Sequence, residues 1–202
     1  MSDFTYETEN RSNKYETYEW DNIWIEHANE IGRKRAAYIG DSISVGTRRI
    51  ATARTNEEIL FDGFGTSKAL DNPYFKDSIR LFLNQVPNID TVLFNNGLHG
   101  WHLNDETEYK TLYDEMIQFI LSEIKGARLY ILLITAVENN EDNKRVKIRN
   151  TAAREVAEKY SIPVIDLYDI TSANISEISP DGIHPTEPLY EKIADEIIRN
   201  IR

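Results

Sequence analysis

Short apolar runs without polar interruptions recur along the chain, and they are rich in β-branched and aromatic residues. Such runs are typical of parallel strands covered on both faces, because neither face then needs a polar side chain. The pattern predicts five strands, at residues 36–40, 58–61, 90–95, 128–134 and 163–166.

Longer stretches between and after these runs repeat apolar residues at three- and four-residue steps, as one face of a helix does. They predict helices at residues 109–124, 146–160 and 189–201, the first of which is stopped by Gly126. Strands that alternate with helices favour right-handed βαβ crossovers. The predicted fold class is therefore α/β, a three-layer α/β/α domain built on a five-stranded parallel sheet.

The first 34 residues differ from the rest, because they are polar and aromatic without a clear alternation. We interpret residues 1–34 as an N-terminal extension that packs on a domain of residues 35–202. The stretch from Trp20 to Trp24 is expected to form a short helix against that domain.

The composition removes several classes of function. The chain of 202 residues has no cysteine, which excludes disulfides, thiolate catalysis and Cys-based zinc sites. Its formal net charge of −11 repels polyanions, so we expect no nucleic-acid partner and a neutral or cationic substrate. No apolar run approaches the roughly 20 residues that cross a bilayer, so no membrane partner is expected. The N-terminus lacks a signal-peptide pattern, which favours the cytoplasm, or secretion if a signal has been removed.

A serine follows the first predicted strand, in Gly40-Asp41-Ser42-Ile43-Ser44. Ligands of doubly wound sheets bind beyond the carboxyl ends of the strands. A serine at that place lies near a helix N-terminus, where its own backbone N–H can face a developing oxyanion. The alternative is a helix-capping serine, since Asp and Ser are preferred caps.

A serine nucleophile needs a base, and the chain has four histidines. One of them, His184, stands three residues after Asp181, just before the last predicted helix. In a loop, this spacing lets the carboxylate accept the Nδ1–H of the imidazole and leaves Nε2 free for the serine. A surface turn at residues 180–182 is the alternative. We predict Ser42 as nucleophile, with Asp181 and His184 as its acid–base partners.

The pair GDSIS and DGIHP, in this order and at opposite ends of the domain, resembles the SGNH (GDSL-like) hydrolases. The resemblance covers about residues 35–202. It implies a flavodoxin-like fold, serine esterase activity through an acyl-enzyme, and catalytic roles for Ser42, Asp181 and His184. No metal and no cofactor are required by this route.

The second block of the family supplies a glycine N–H to the oxyanion hole from a loop after the second strand. Gly65, followed by Thr66 and Ser67, matches the family's Gly-x-Ser pattern best, and Gly63 is the second choice. As an alternative, both glycines simply permit a tight turn with positive φ.

The third block departs from the family's Gly-x-Asn-Asp, because the chain has Asn-Asn-Gly-Leu-His-Gly at residues 95–100. Aligning the glycine places His99 where the family has its oxyanion-binding asparagine, and an imidazole N–H can donate there. Alternatively Asn95, at the strand end, supplies the amide and His99 is structural. The N-x-G-L-H variant resembles a branch of SGNH-like bacterial proteins, many of them linked to carbohydrate esters.

Further candidates for substrate binding are Asp41, Trp101 and His102. A large aromatic is also a common packing residue, and His102 equally suits the rim of a site. No apolar segment indicates a lipid-binding lid, so we expect an acetyl ester on a sugar or glycan. A lipase, lysophospholipase or thioesterase-like acyl hydrolase, and a non-catalytic binding module of the same fold, stay open as alternatives.

Overall fold

The computed structural model describes residues 13–202, and within them one mixed sheet forms the centre of the molecule. Its spatial order is β1-β3-β2-β4-β5-β6. No helix in the described range is long and apolar enough to span a membrane. The strands are β1 (Asp21–Trp24), β2 (Lys34–Gly40), β3 (Ile59–Thr66), β4 (Thr91–Phe94), β5 (Arg128–Leu132) and β6 (Val164–Ile165).

Strands β2 to β6 all run parallel to one another, which confirms the predicted five-stranded parallel sheet. Counted from β2, their order is 2-1-3-4-5, the order of flavodoxin-like folds. A short 3-10 turn, Ile175–Glu177, accompanies the helices. These are α1 (Ser42–Arg54), α2 (Phe75–Leu83), α3 (Glu106–Glu123), α4 (Asn140–Lys159), α5 (Leu167–Ala173) and α6 (Glu187–Ile201).

Both faces of the sheet are buried, which explains why the strand runs show no polar alternation. In β4, Val92 and Phe94 pack into a core with α2, α3 and α4. Leu93, between them, points to the opposite core with α1, α5 and α6. The predicted three-layer α/β/α architecture is confirmed, and it places the carboxyl ends of β2 to β6 along one edge.

The N-terminal segment joins the sheet in a way that differs from the prediction. The expected short helix at Trp20–Trp24 is wrong, because these residues contain β1, which pairs antiparallel with β3. Strand β3 continues past residue 61 to Thr66 and offers an edge whose backbone groups need partners. Pairing with β1 satisfies that edge. Residues 1–12 of the predicted extension lie outside the described residues.

Gly63 and Gly65 lie inside β3, so the predicted loop at this position is wrong. Neither glycine has a positive φ, which also removes the tight-turn alternative. Glycine is needed at these two positions because α1 packs closely on the strand. A Cβ on Gly63 would lie 2.2 Å from Arg48 Cδ, and one on Gly65 would lie 2.3 Å from Val45 Cγ2.

A buried ion pair fastens the N-terminal segment to the parallel sheet. Arg35 on β2 and Asp62 on β3 are both fully buried, and Nη1 of Arg35 lies 2.9 Å from each carboxylate oxygen. The guanidinium also donates to the carbonyls of Glu26, His27 and Glu30. Burial raises the pKa of Asp62, and the hydrogen bonds from Arg35 oppose that rise.

Candidate active site

Ser42 is the first residue of α1, at the carboxyl end of β2. The N-cap of this helix is Asp41, whose Oδ1 accepts the backbone N–H of Ile43 at 2.9 Å. Asp41 therefore has a structural role as the cap, and its side chain is buried. The alternative that Ser42 caps the helix is wrong, and its half-buried hydroxyl is left for other partners.

The hydroxyl of Ser42 belongs to a chain of hydrogen bonds that crosses the edge of the sheet. Ser42 Oγ lies 2.9 Å from Nε2 of His184. On the other side of the ring, Nδ1 of His184 lies 2.8 Å from Oδ2 of Asp181. When Nδ1–H donates to the carboxylate, Nε2 has a free lone pair and accepts the serine hydroxyl. The structure thus brings Ser42 to a histidine that is 142 positions away in sequence, and to the carboxylate of Asp181 beyond it.

The loop that carries the histidine is shaped by the same carboxylate. Oδ1 of Asp181 accepts the backbone N–H groups of Ile183 at 2.8 Å and of His184 at 2.9 Å. The backbone N–H of Ser179 donates to the carbonyl of His184 at 2.7 Å and closes the turn. One oxygen of Asp181 therefore folds the loop while the other orients the imidazole, which explains the Asp-x-x-His spacing.

The charge of Asp181 is stabilised by these donors. Partial burial acts to raise the pKa of the carboxyl group. The backbone N–H groups of His184 and Ile183, the imidazole and the hydroxyl of Ser179 outweigh burial and hold the pKa of Asp181 well below its ordinary value. Asp181 is therefore an anion throughout the range in which an imidazole titrates.

The loop after β4 lies directly against the cap of α1. Gly97 has a φ of +67°, and a Cβ on it would fall 1.8 Å from Oδ2 of Asp41. Only glycine permits both the left-handed conformation and this close approach. The approach places the third block beside Ser42.

Two side chains of that block were predicted as oxyanion donors. Asn95 donates its backbone N–H to Ile39 and its Nδ2 to the carbonyl of Leu132 at 2.9 Å, so it lies between the ends of β2 and β5. One hydrogen of a carboxamide Nδ2 is used in this bond, and the second is left for another acceptor.

His99 is buried and faces the N-terminal segment. Its Nδ1 lies 3.6 Å from Oε1 of Glu16, which is too long for a hydrogen bond but short enough for an ion pair with a protonated imidazole. The ring of Trp20 meets the imidazole edge-on, with the ring centroids 6.0 Å apart. Glu16 was not predicted as a site residue, because no local spacing links it to a histidine 83 positions away.

Arg149 on α4 anchors the loop after β4, and it too was missed as a site residue. Its guanidinium donates to the carbonyls of His99 at 2.9 Å and Gly100 at 2.6 Å. It also lies 5.0 Å from the centroid of Trp101, and Arg145 lies 4.8 Å from it. Two guanidinium groups thus lie against the indole, and these contacts pack the loop after β4 against α4. The sequence of the predicted helix at 146–160 contained a signal for this, because Arg149 lies three residues after Val146 and three before Ala152, on the face that the structure buries.

The remaining predicted or excluded histidines have other neighbours. Nε2 of His102 lies 3.0 Å from Oδ2 of Asp71, at the border of the loop after β4. His27 lies 3.4 Å from Glu30 in the N-terminal segment and 3.6 Å from Glu57, which precedes β3. The structure does not bring His27 to the serine.

A cavity of about 190 Å³ borders the triad. Three loops at the carboxyl edge of the sheet form it: the loop after β4, the loop after β5 with the start of α4, and the histidine loop. Its lining residues are Leu98, Trp101, Val137, Asn139, Asp142, Asp181, Gly182 and Ile183.

The fold is similar to that of several solved hydrolases. The acetyl xylan esterase AlAXEase is 16% identical over 83% of this chain and 100% of its own, with a TM-score of 0.63. A lipase/acylhydrolase from Enterococcus faecalis is 14% identical over 83% of this chain and 95% of its own, with a TM-score of 0.60. A member of the lipolytic protein G-D-S-L family from Veillonella parvula is 16% identical over 83% and 98%, with a TM-score of 0.62.

No protein-family model and no curated protein matches the chain. At identities this low, the likeness to solved structures establishes the fold alone. The assignment of a function therefore depends on the geometry around Ser42.

Proposed function

We propose that the protein is a serine esterase in which Ser42, His184 and Asp181 form the catalytic triad. The observation that carries the proposal is the continuous pair of hydrogen bonds, 2.9 Å from Ser42 Oγ to Nε2 and 2.8 Å from Nδ1 to Asp181. A binding module has no need of an imidazole held between a carboxylate and a serine hydroxyl at a helix N-terminus.

In the proposed reaction, His184 takes the proton of Ser42 as Oγ attacks the carbonyl carbon of the ester. The alcohol leaves with a proton from His184, and the acyl group stays on Ser42 until water releases it as the acid. Asp181 keeps Nε2 as the accepting nitrogen and stabilises the imidazolium that forms in each step. The carboxylate itself is not protonated.

The backbone N–H group of Ser42 is the proposed first donor to the oxyanion. Gly65 was predicted as the second, but it lies inside β3 opposite Asn22, and Ser67, two residues on, donates its N–H to Trp20, so the N–H of Gly65 faces β1 and not Ser42. The proposed side-chain donor is Asn95 or His99, both carried by the stretch that Gly97 holds against Asp41. Removal of a side-chain donor of this kind lowers kcat by about 10²–10³. Comparison of Asn95→Ala with His99→Ala identifies the donor, because only the true donor loses kcat on that scale while KM changes little.

We propose an acetyl group on a sugar or glycan as the substrate. Likeness to an acetyl xylan esterase and the acidic net charge support this choice. The lipolytic names of other neighbours favour a longer acyl chain as the rival. An acetylesterase loses kcat/KM as p-nitrophenyl esters lengthen from acetate to octanoate, whereas a lipase gains it.

The proposal is tested by p-nitrophenyl acetate hydrolysis with wild type, Ser42→Ala and the control Ser122→Ala. Ser122 is exposed on α3, and its hydroxyl donates only within that helix. We expect Ser42→Ala to lose activity by several orders of magnitude, because the triad acts as a unit, while Ser122→Ala keeps it. A Ser42→Ala protein as active as wild type would refute the triad.

A further inference from the structure

The position of the cavity beside the triad indicates which half of the ester it can hold. One wall is the stretch Asp181-Gly182-Ile183, which belongs to the loop that carries His184. Another part of the wall is Leu98, the neighbour of Gly97. The cavity therefore adjoins Asp181, the partner of His184, and lies between the histidine loop and the loops after β4 and β5.

Chemistry decides which half of an ester points that way. When the tetrahedral intermediate collapses, the bond between the carbonyl carbon and the alcohol oxygen breaks, and His184 gives its proton to that oxygen. The alcohol oxygen must therefore lie within hydrogen-bond reach of Nε2. A group attached to it extends along the histidine loop, whereas the acyl group stays with Ser42.

On the basis of the proposed esterase function, we propose that this cavity is the subsite for the alcohol half of the ester, and that it binds one polyol or sugar ring. Selectivity is then set by the alcohol that leaves and not by the acyl chain.

The polar side chains of the cavity suit hydroxyl groups. Oδ1 of Asn139 caps α4 by accepting the N–H groups of Glu141 at 3.0 Å and Asp142 at 3.1 Å. Its Nδ2 therefore points donors away from the helix end. Asp142 adds a carboxylate, which accepts hydrogen bonds from hydroxyls. Two carboxylates, Asp142 and Asp181, line the same cavity and would repel an acid product, which argues against an acyl pocket.

The apolar lining and the size fit a single ring. Leu98, Val137 and Ile183 give the C–H faces of a ring an apolar surface, and the indole of Trp101 completes it. Because two guanidinium groups lie over the indole, it contributes a wall and not a stacking platform. At about 190 Å³ the cavity is below the roughly 300–1,000 Å³ of pockets for drug-sized ligands.

The test varies each half of the ester separately. In the alcohol series the acyl group is always acetyl, on ethanol, glycerol and a methyl glycopyranoside. In the acyl series the alcohol is always ethanol, with acetate, butyrate and hexanoate. Acid release is followed by titration at constant pH for wild type, Asp142→Asn and the control Glu141→Gln. Glu141 is exposed in the same first turn of α4, pairs with Lys144, and does not line the cavity.

We expect wild type to prefer the acetylated glycoside to ethyl acetate. In Asp142→Asn a neutral amide replaces the charged acceptor, and the weaker hydrogen bond lowers the ratio of their kcat/KM values by about ten-fold, mainly through KM. The control Glu141→Gln removes the same charge from the same helix end, but it leaves this ratio unchanged because Glu141 does not line the cavity. The rate of labelling by a fluorophosphonate shows whether each variant keeps a folded triad.

Three outcomes would overturn the subsite. Wild type shows no preference within the alcohol series, or the acyl series responds to Asp142→Asn, or Glu141→Gln changes the ratio as much as Asp142→Asn does. In all three, ethyl acetate is still hydrolysed through Ser42, so the proposed esterase function stands. If wild type hydrolyses no acetate ester and no fluorophosphonate labels Ser42, both proposals fail.

Discussion

The exchange Asp181→Asn separates the two tasks of this side chain. The amide oxygen of asparagine accepts the N–H groups of Ile183 and His184 as Oδ1 of Asp181 does, so the loop keeps its shape. The amide nitrogen then faces Nδ1 of His184 and can only donate to it. The imidazole must carry its proton on Nε2, where it no longer accepts the hydroxyl of Ser42.

In other serine triads the same exchange lowers kcat by roughly 10⁴. The side chain of Asp181 is 49% exposed, so water also solvates the imidazolium charge and the fall in kcat is expected to be smaller. We expect a fall in kcat of about 10²–10³, which corresponds to about 2.7–4.1 kcal/mol of transition-state stabilisation.

The assay is p-nitrophenyl acetate hydrolysis under saturating conditions, with thermal unfolding as the check that the loop is intact. The control Asp169→Asn changes an exposed carboxyl group on α5 and leaves both measurements unchanged. A kcat for Asp181→Asn within ten-fold of wild type, in a variant that still unfolds in one cooperative transition, would refute the argument that this carboxylate selects the imidazole tautomer.

Three further outcomes are expected, each from one contact. Arg35→Met leaves the buried charge of Asp62 unpaired and lowers the unfolding free energy by about 3–5 kcal/mol, and adding Asp62→Leu recovers much of this loss. Denaturant titrations that give the single and the double variant the same loss would contradict this. Gly97→Ala forces a side chain into a positive φ and against Asp41, so unfolding free energy falls by about 2 kcal/mol or more and esterase activity falls with it; an unchanged Tm would disprove the clash. Because the pKa of Asp181 is lowered by folding, its ionised form stabilises the protein above a pH of about 3.9, and this contribution is lost as the pH falls through the folded value. The Tm difference between wild type and Asp181→Asn is therefore larger at pH 7 than at pH 3, and a pH-independent difference would rule out this cause.

Strands and long helices were predictable because burial imposes its period on the local sequence. All four residues of β4 are buried, and its run of three apolar residues, 92–94, reflects a sheet that is covered on both faces. Helix α5 has no counterpart among the predicted helices, because its seven residues give too few turns for a periodic stripe. Helix α2 was also missed, although its buried residues Phe75, Ile79, Phe82 and Leu83 do recur at helical steps over its nine residues.

The N-terminal strand was not predictable for a different reason. Asp21–Trp24 is exposed along its whole length, so no hydrophobic period marks it as a strand. Its conformation comes from the free edge of β3, and the length of β3 depends in turn on how closely α1 packs against Gly63 and Gly65. Each of these contacts joins distant parts of the chain.

The residues of the site also divide into those linked by local sequence and those brought together only by the fold. Asp181 and His184 are linked by a local turn, so their spacing carried the signal for an acid–base pair. Glu16 and Arg149 act on His99 from distant segments, and only the folded chain brings them to it. The division of the chain at residue 35 remains a prediction.

The most direct measurement is the mass spectrum of the intact and digested protein after reaction with a fluorophosphonate. We expect one covalent adduct per chain in wild type, located on Ser42, and no adduct in Ser42→Ala. Labelling is at least 100-fold slower in His184→Ala, because a serine without its base is a weak nucleophile (an order-of-magnitude expectation, roughly the effect of losing a general base). An unlabelled wild type, an adduct on another residue, or equal labelling of His184→Ala would contradict the assignment of Ser42 as an activated nucleophile.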